Sequence, residues 1–553
     1  MKTSSGLRFA ACFLQLSVFP KYKIVKVGTR CYNNLIIVIL ERLAMSTISY
    51  KPLNLYRQFK TAAREFPNVA IYFDNPYASF PELGLENTYQ TVFEAIQKRA
   101  AQFAAAGIGY GDKVVLYKSP AFDTYLLAVA VTALGAVPVM ISYHLPSSNL
   151  DVFAERLEKS FIIYDQETEE RVAGMTRTDL VTKVFLPQVL VQEAVAFEEN
   201  LLPEDVIQYM THTSGTTGVP KLICHTAQTM GWRVAWQQTI FDKMTERGLL
   251  AFHISPVHSR YNIGVSSAIG LGFPLYPLSS ARKDDVERAL ALHRPSALET
   301  HPNNFVQWAR LVKEKPEVFS SIRYYHSTFD AINIGTLRAF LEASKEQHPV
   351  FMQVYGQSEC GPMILRYHRL ENLGTVSGRD MGIGLEGYTE ARITDAQGNP
   401  LPAGENGHIQ FLSKGRAVTY YKEDARFQDN VYGAWWDSGD YGCMTPEGTL
   451  LLKDRQVDLI EHIDSNLALE DLLLDKLDFL SEVVIIRDVN GAPQPIIALA
   501  EDAEMNWEAW WTMVADLPLL KEPILMAYDD IPRTATMKVQ RLKMEAEMKE
   551  KNL

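Results

Sequence analysis

From about residue 50 onward, short apolar runs alternate with stretches of helical periodicity, and that alternation restricts the fold more than any other feature. Tyr89 to Ala106 places Val92, Phe93, Ile96, Ala100 and Phe103 on one helical face, with Gly107 as a stop. Gly-Tyr-Gly-Asp at 109–112 then turns into Lys113-Val-Val-Leu-Tyr117, a buried-strand pattern. Leu126 to Leu134 is a second helix ended by Gly135, and Ala136 to Ile141 returns as a strand. Phe161 to Tyr164 and Lys183 to Leu186 repeat the short-strand signal. Strand–helix–strand units of this length predict an α/β sheet covered by helices. No period of about 20–50 residues recurs, which excludes a solenoid.

Composition narrows the class without naming a function. At about 100–200 residues per domain, 553 residues imply more than one unit. Hydrophobic residues make up 47% and charged residues 22%, which excludes a disordered chain, a collagen and a disulfide-stapled miniprotein. The 54 basic residues minus 66 acidic ones give a net charge of −12, so no global footprint for nucleic acid exists. The cysteines Cys12, Cys31, Cys224, Cys360 and Cys443 are odd in number and lack C-x-x-C spacing. They read as reduced core thiols rather than zinc ligands, and the chain reads as cytoplasmic.

The beginning of the sequence is unlike the rest. Lys2 and Arg8 precede an apolar stretch from Phe9 to Phe19, which runs into Lys21, Lys23, Lys26 and Arg30. A second run, Leu35 to Leu40, falls well short of the roughly 20 residues that span a bilayer, so no transmembrane segment is expected. Secretory leader and surface anchor are two readings. A third fits better: ordinary globular sequence opens at Met45, and residues 1–44 are a non-native or disordered extension. A boundary falls near Leu451 to Asp458. Upstream, Gly374 to Gly448 has the turn density of β-hairpins. Downstream, helical 468–479 and 507–513 flank strands at 483–486 and 495–499. The expected units are therefore 45–453 and a small, mobile α+β domain at 454–553.

Chemistry concentrates in Thr211-His-Thr-Ser-Gly-Thr-Thr-Gly-Val-Pro-Lys221. Two glycines and a density of hydroxyls let the backbone curl and aim donors at one anion, with Lys221 as counter-charge. Such a loop suits a polyphosphate. It is not the Walker pattern, since Leu222 rather than Ser or Thr follows the lysine.

Thr213 to Lys221 resembles the signature loop of the adenylate-forming (AMP-binding) superfamily of acyl-CoA synthetases and stand-alone adenylation enzymes. Other segments resemble family motifs in the family's order, across about residues 50–543. Gly111-Asp-Lys-Val114 and Leu134-Gly-Ala-Val-Pro138 are similar to its structural motifs. Pro256-Val-His-Ser-Arg-Tyr-Asn-Ile-Gly264 resembles its aromatic/His motif, and Val354-Tyr-Gly-Gln-Ser-Glu359 its Tyr-Gly-x-Thr-Glu. Trp436-Asp-Ser-Gly-Asp440, Lys453-Asp-Arg455 and Pro532-Arg-Thr-Ala-Thr-Met-Lys538 complete the set.

The resemblance implies a large N-terminal α/β domain with a β-rich lobe and a small mobile C-terminal domain. It implies ATP and Mg²⁺ as cofactors and activation of a carboxylic acid to an acyl-adenylate, with transfer to CoA or a carrier-protein phosphopantetheine. By the same resemblance, Thr213 and Lys221 are catalytic, Ser214, Gly215, Thr216, Thr217 and Gly218 cradle phosphate, and Tyr355 and Gly356 bind the nucleotide, Tyr355 by stacking on adenine. Ser358 touches phosphate, Glu359 holds Mg²⁺, and Asp440 and Arg455 hold ribose. His258 stands beside the acid and Lys538 is the catalytic lysine. Without the Pro-Arg-Thr lead-in, Lys538 would read with Arg533, Arg541 and Lys543 as a solvated basic face.

The sequence departs from the family on the thiol side. In Asp454-Arg-Gln-Val-Asp-Leu-Ile-Glu-His-Ile-Asp464, Val457 takes a polar hinge position, Glu461 replaces Lys and Asp464 replaces Gly. Met537 replaces a Gly, and Ser327 to Ile332 departs from a Gly-rich motif. Two carboxylates there would repel polyanionic CoA. The reading is an acid–thiol ligase, with fatty acids among the acids expected. The alternatives are a stand-alone amino- or aryl-acid adenylation enzyme and a nucleotide-binding pseudoenzyme. The acid pocket is expected near Trp232, His258, Tyr261, His326 and Gly356.

Overall fold

A computed structural model describes residues 50–213, 220–328, 331–533 and 539–551. Among these residues the chain forms a mixed α/β fold with four sheets. The first sheet has seven strands, in the order Thr419–Tyr420, Leu222–Thr226, Ile207–His212, Val137–Met140, Lys113–Leu116, Ser160–Tyr164, Val181–Phe185. Its members from 113 to 212 run parallel, and Leu222–Thr226 turns back antiparallel to Ile207–His212. The eight-stranded second sheet is parallel through its centre and closes on antiparallel strands at both edges.

Sequence chemistry explains these elements locally. Helix Tyr89–Ala105 starts where Thr88 and Thr91 exchange side-chain-to-backbone hydrogen bonds of 3.3 and 2.9 Å. It ends before Gly107, whose φ of +89° a side chain would strain. Helix Phe122–Ala133 is apolar apart from Asp123, Thr124 and Thr132, and all 12 of its residues are buried, with Asp123 paired to Lys118 at 2.9 Å. From Tyr125 to Val131 it is apolar around its whole circumference, so it sits inside, in a core drawn from both large sheets.

The Gly-rich region does form hairpins: a largely antiparallel third sheet contains Asp380–Gly382, Leu450–Arg455, Trp435–Met444, Gly407–Ser413 and Thr389–Thr394. Beyond it, Pro493–Leu499 pairs antiparallel with Leu480–Arg487 and parallel with Ile524–Leu525, and helix Asn466–Lys476 packs its Leu473 with Val483, Ile485, Ile497 and Trp510. Asp454 holds the start of that helix, accepting from the Asn466 and Leu467 amides at 3.0 and 3.3 Å.

Two residues of the basic tail, Arg533 and Arg541, are not on a solvated face, whereas Lys543 is exposed. Arg541 is largely buried and donates to both Glu470 oxygens at 2.9 and 2.6 Å, while Arg533 pairs with Glu482. Cys224, Cys360 and Cys443 are buried free thiols, as composition implied. No helix among the described residues is long and apolar enough to cross a membrane.

Candidate active site

Strand Val350–Gln357 of the second sheet runs into a tight turn and returns as Gly361–His368. Gly356 has no alternative there: a Cβ would lie 2.1 Å from the Gly361 carbonyl oxygen. On one side of it, the Tyr355 hydroxyl donates to Asp440 of the third sheet. Gln357 donates to the Ser438 carbonyl and accepts from the Trp436 indole at 3.1 Å. Asp440 in turn sits directly across the ladder from Arg455. Burial first, and the Asp440 carboxylate second, push the Tyr355 phenol well above its ordinary range, so it stays a neutral donor.

On the other side the turn carries Ser358 and Glu359. Arg233, itself buried, grips this turn by its backbone. Its guanidinium donates to the carbonyls of Gly415 at 2.7 Å, Ser358 at 3.0 Å and Glu359 at 2.8 Å. The Glu359 carboxylate is left to accept from the Tyr420 hydroxyl at 2.7 Å. That hydroxyl lies 3.2 Å from the Lys221 ammonium, which also stands over the Tyr420 ring at 4.4 Å. The neck of the hydroxyl-rich loop is closed by Thr213 N–H donating to the Lys221 carbonyl at 3.0 Å, and by Lys221 N–H donating to the Thr213 hydroxyl at 3.1 Å. His258 caps helix Ser259–Gly270, and its Nε2 lies 3.3 Å from the Ser358 hydroxyl.

Thr213, Lys221, His258, Tyr355, Gly356, Ser358, Glu359, Asp440 and Arg455 are therefore connected through neighbouring elements. Ser214, Gly215, Thr216, Thr217, Gly218 and Lys538 lie outside the described residues. Burial lowers the Lys221 pKa, an effect that Glu359 partly opposes. Tyr355, Asp440 and Arg455 line a cavity of about 1,110 Å³ that is also walled by helix Asn466–Lys476 and Arg541. Its size exceeds the 300–1,000 Å³ typical of small-molecule sites.

Behind His258 lies a second, smaller space of about 50 Å³, lined by Arg260, Tyr261, Gly264, Glu299, His326 and Met352 among others. The Arg260 guanidinium forks onto both Glu299 oxygens at 2.6 and 2.7 Å and also donates to Gln237. His326 Nδ1 is 2.9 Å from Glu299. Burial alone would raise the Glu299 carboxyl, but Arg260 and His326 outweigh it and hold it down to about 2. Of the residues expected around the acid, Tyr261 and His326 are here. Trp232 instead stacks on Tyr50, ring centroids 4.1 Å apart, beneath the Lys414 ammonium.

Arg233, Tyr420, Arg260 and Glu299 are the site residues that sequence reading passes over. Arg260 stands inside a quoted motif, yet an arginine on a helix reads as a surface charge until its partner is known. The thiol-side expectation also changes. Asp464 is not a bare carboxylate, because Lys453 donates to both its oxygens at 2.6 Å, which weakens the predicted repulsion of CoA.

The donor set suits a nucleotide: a phenol–carboxylate pair facing a large cavity, and a hydroxyl-rich loop whose neck adjoins one carboxylate. Among the described residues no cluster of three or more His, Cys, Asp or Glu could hold a metal alone. A divalent ion at Glu359 would complete its shell with phosphate and water, which is how Mg²⁺ is ordinarily held in nucleotide sites.

Comparison with known proteins agrees. The AMP-binding enzyme family matches residues 59–421. The chain belongs to this family. Among its AMP-binding relatives is the 3-amino-2-hydroxy-4-methoxybenzoate diazotase of Streptomyces cremeus, 31% identical over 87% of this chain and 93% of that protein. The 3-aminoavenalumate diazotase of a Streptomyces species is 23% identical over 88% of this chain and 94% of its own length. The crystal structure of the anthranilate CoA ligase AuaEII with anthranoyl-AMP superposes with a TM-score of 0.77, at 18% identity, over 92% of this chain and 99% of the other. The fold is thus that of an adenylate-forming enzyme, with a large N-terminal part and a smaller C-terminal one. The names of these relatives carry aryl acids and lend no support to the expectation of fatty acids.

A first consequence concerns the grip on the Glu359 turn. Arg233→Lys keeps the charge but loses the fork that reaches three carbonyls at once. It is expected to cost about 1–3 kcal/mol in urea unfolding, the penalty for leaving buried acceptors unpaired. The KM for Mg·ATP should rise in parallel if Glu359 is where a divalent ion is held, because its carboxylate would no longer be fixed.

Proposed function

We propose that this enzyme uses ATP and Mg²⁺ to adenylate nitrite and delivers the nitrosyl group to the amine of an amino-aryl acid, a diazotase reaction. The likeness to the Streptomyces cremeus diazotase, 31% identity across nearly the whole of both chains, carries this reading. The chemistry is consistent with the fold. Nitrite is a monoanion that can attack the α-phosphorus in line as a carboxylate does, and its nitrogen has the oxidation level that diazotisation needs. In the first step a nitrite oxygen bonds to the α-phosphorus and pyrophosphate leaves. In the second, the amine nitrogen bonds to the nitrosyl nitrogen, the N–O bond to AMP breaks and a proton is lost. The N-nitroso product tautomerises to a diazohydroxide, takes up a proton and loses water to give the diazonium ion. No oxidant is consumed and no thiol takes part, so the departures at Glu461 and Asp464 fall where this reaction makes no demand.

The roles proposed for the described residues are those their neighbours suit, and those of Ser214 to Gly218 and Lys538 are the ones their motifs imply. Tyr355, Asp440 and Arg455 hold the nucleoside, with Gly356 leaving room at the turn. Thr213, Lys221 and the loop Ser214-Gly-Thr-Thr-Gly218 cradle phosphate, Ser358 adds a hydroxyl, and Lys538 neutralises the reacting anions. Glu359 holds Mg²⁺, which offsets phosphate charge. His258 borders the acceptor.

A second reading is an aryl-acid ligase passing its acyl group to CoA or a carrier protein, favoured by the TM-score of 0.77 with the anthranilate CoA ligase. One experiment separates the two. Pyrophosphate exchange is measured with nitrite and, separately, with a panel of benzoates; 3-aminobenzoates are then added with nitrite, and the diazonium product is trapped by azo coupling. Nitrite-dependent exchange with coupled dye supports the diazotase. Benzoate-dependent exchange without nitrite supports the thiol ligase, and exchange with neither supports a nucleotide-binding pseudoenzyme.

A further inference from the structure

We infer that the 50 Å³ cavity behind His258 is a subsite for one ring hydroxyl or ring amino group of the aryl substrate, and that His326 reads that group through Nε2. This rests on the aryl-substrate part of the function proposed above, not on the identity of the activated oxyanion. Size limits what the space can hold. The space is far larger than the roughly 10–15 Å³ that admits a single water and far smaller than the 150 Å³ of a cavity that binds benzene. It fits a substituent rather than a ring.

Position comes next. The cavity shares its walls with the reacting end of the site. Helix Ser259–Gly270, capped by His258, contributes Arg260, Tyr261 and Gly264. Strand Tyr324–Thr328 contributes Tyr324 and His326, and strand Val350–Gln357 contributes Met352 before continuing to Tyr355 and Gly356. A ring whose reactive group faces Ser358 and His258 would thus point a substituent inward.

Polarity then selects the group. Most of the lining is apolar. His326 is the exception with capacity to spare: its side chain is 7% exposed, yet Nε2 is buried with no hydrogen-bond partner. A buried polar nitrogen left unpaired is costly, and it marks a position that a ligand completes. The other ring nitrogen sets its character. Glu299 is ionised, so Nδ1 carries the proton and donates to it at 2.9 Å. The guanidinium of Arg260, 3.1 Å from the same Nδ1, cannot donate to a nitrogen that already bears hydrogen. Nε2 is therefore a bare lone pair, fixed in direction by the Glu299–Arg260 pair. It matches a donor, O–H or N–H, and not a second acceptor.

The test is comparative. Binding of hydroxy- and aminobenzoates to the full-length protein in the presence of AMP is measured by calorimetry, each beside its methyl-for-hydroxyl or methyl-for-amino isostere. In the wild type, at least one donor-bearing benzoate should bind about 10²-fold or more tightly than its isostere, because a site built around an O–H or N–H rejects the analogue that lacks it. In His326→Leu that ratio should fall to within about threefold, while His326→Gln, which keeps an acceptor, should retain part of it. AMP affinity and the thermal midpoint, measured on the same samples, show that the variants are folded. A wild type without preference for any donor over its isostere overturns the inference, as does an undiminished ratio in a folded His326→Leu. Because binding is read without nitrite, failure of nitrite-dependent exchange would reject the diazotase reading alone.

Discussion

Lys538→Ala is expected to lower pyrophosphate exchange by about 10²–10³-fold, the usual loss when one preorganised charge-stabilising donor is removed. Two anions, the attacking oxyanion and the α-phosphate, must meet in this step, and a lysine ammonium offsets the repulsion. Transfer from a supplied adenylate to its acceptor involves no such encounter and should stay nearly intact. Single-turnover assays of the two half-reactions check the difference. Equal loss in both would show that Lys538 acts in something other than adenylation.

Arg260→Met is expected to destabilise the enzyme by about 3–5 kcal/mol in urea unfolding, since it strands a buried carboxylate. Glu299 now receives both forks of Arg260 at 2.6 and 2.7 Å, and only His326 would remain. The double variant Arg260→Met/Glu299→Gln should recover most of the loss, because the uncompensated charge goes with its partner. The pH dependence carries the sign. In the native enzyme the Glu299 pKa lies at about 2, below its unfolded value, so its contribution is fully present above the unfolded pKa and disappears only as pH falls through about 2. In Arg260→Met burial would dominate and raise that pKa above the unfolded one. Stability of the single variant should then increase as pH falls from neutral, whereas the double variant should show no such slope. A single variant as stable as the native protein would mean that the pair contributes nothing to folding.

Both sites pose the same question of what a linear sequence contains. The α/β rhythm between residues 89 and 186 was legible because its information is local. Apolar runs of four or five residues make strands in any context that buries them, and the run read from Leu126 to Leu134, within helix Phe122–Ala133 up to Ala133, had only the interior available to it. The β-rich lobe was legible for the same reason, through its turn residues. Strand Val350–Gln357 was harder. Its Gln353 is wholly buried, donating to the Gly378 carbonyl at 3.2 Å and paired with His368 at 2.9 Å, and a polar residue at a core position breaks the apolar pattern.

The sequence by itself determined the order of the elements and the identity of the motifs, down to the carboxylate in Tyr355 to Glu359 and the hydroxyls around Thr213. Each depends on neighbours within a dozen residues. Only the tertiary structure decided what holds those motifs in place. Arg233 reaches 125, 126 and 182 residues along the chain to its three carbonyls, and Arg260 meets Glu299 across 39. A buried charge is unfavourable wherever the sequence is read locally. It becomes a fixed part of the site only where distant strands bring matching acceptors to it, and that matching is a property of the fold.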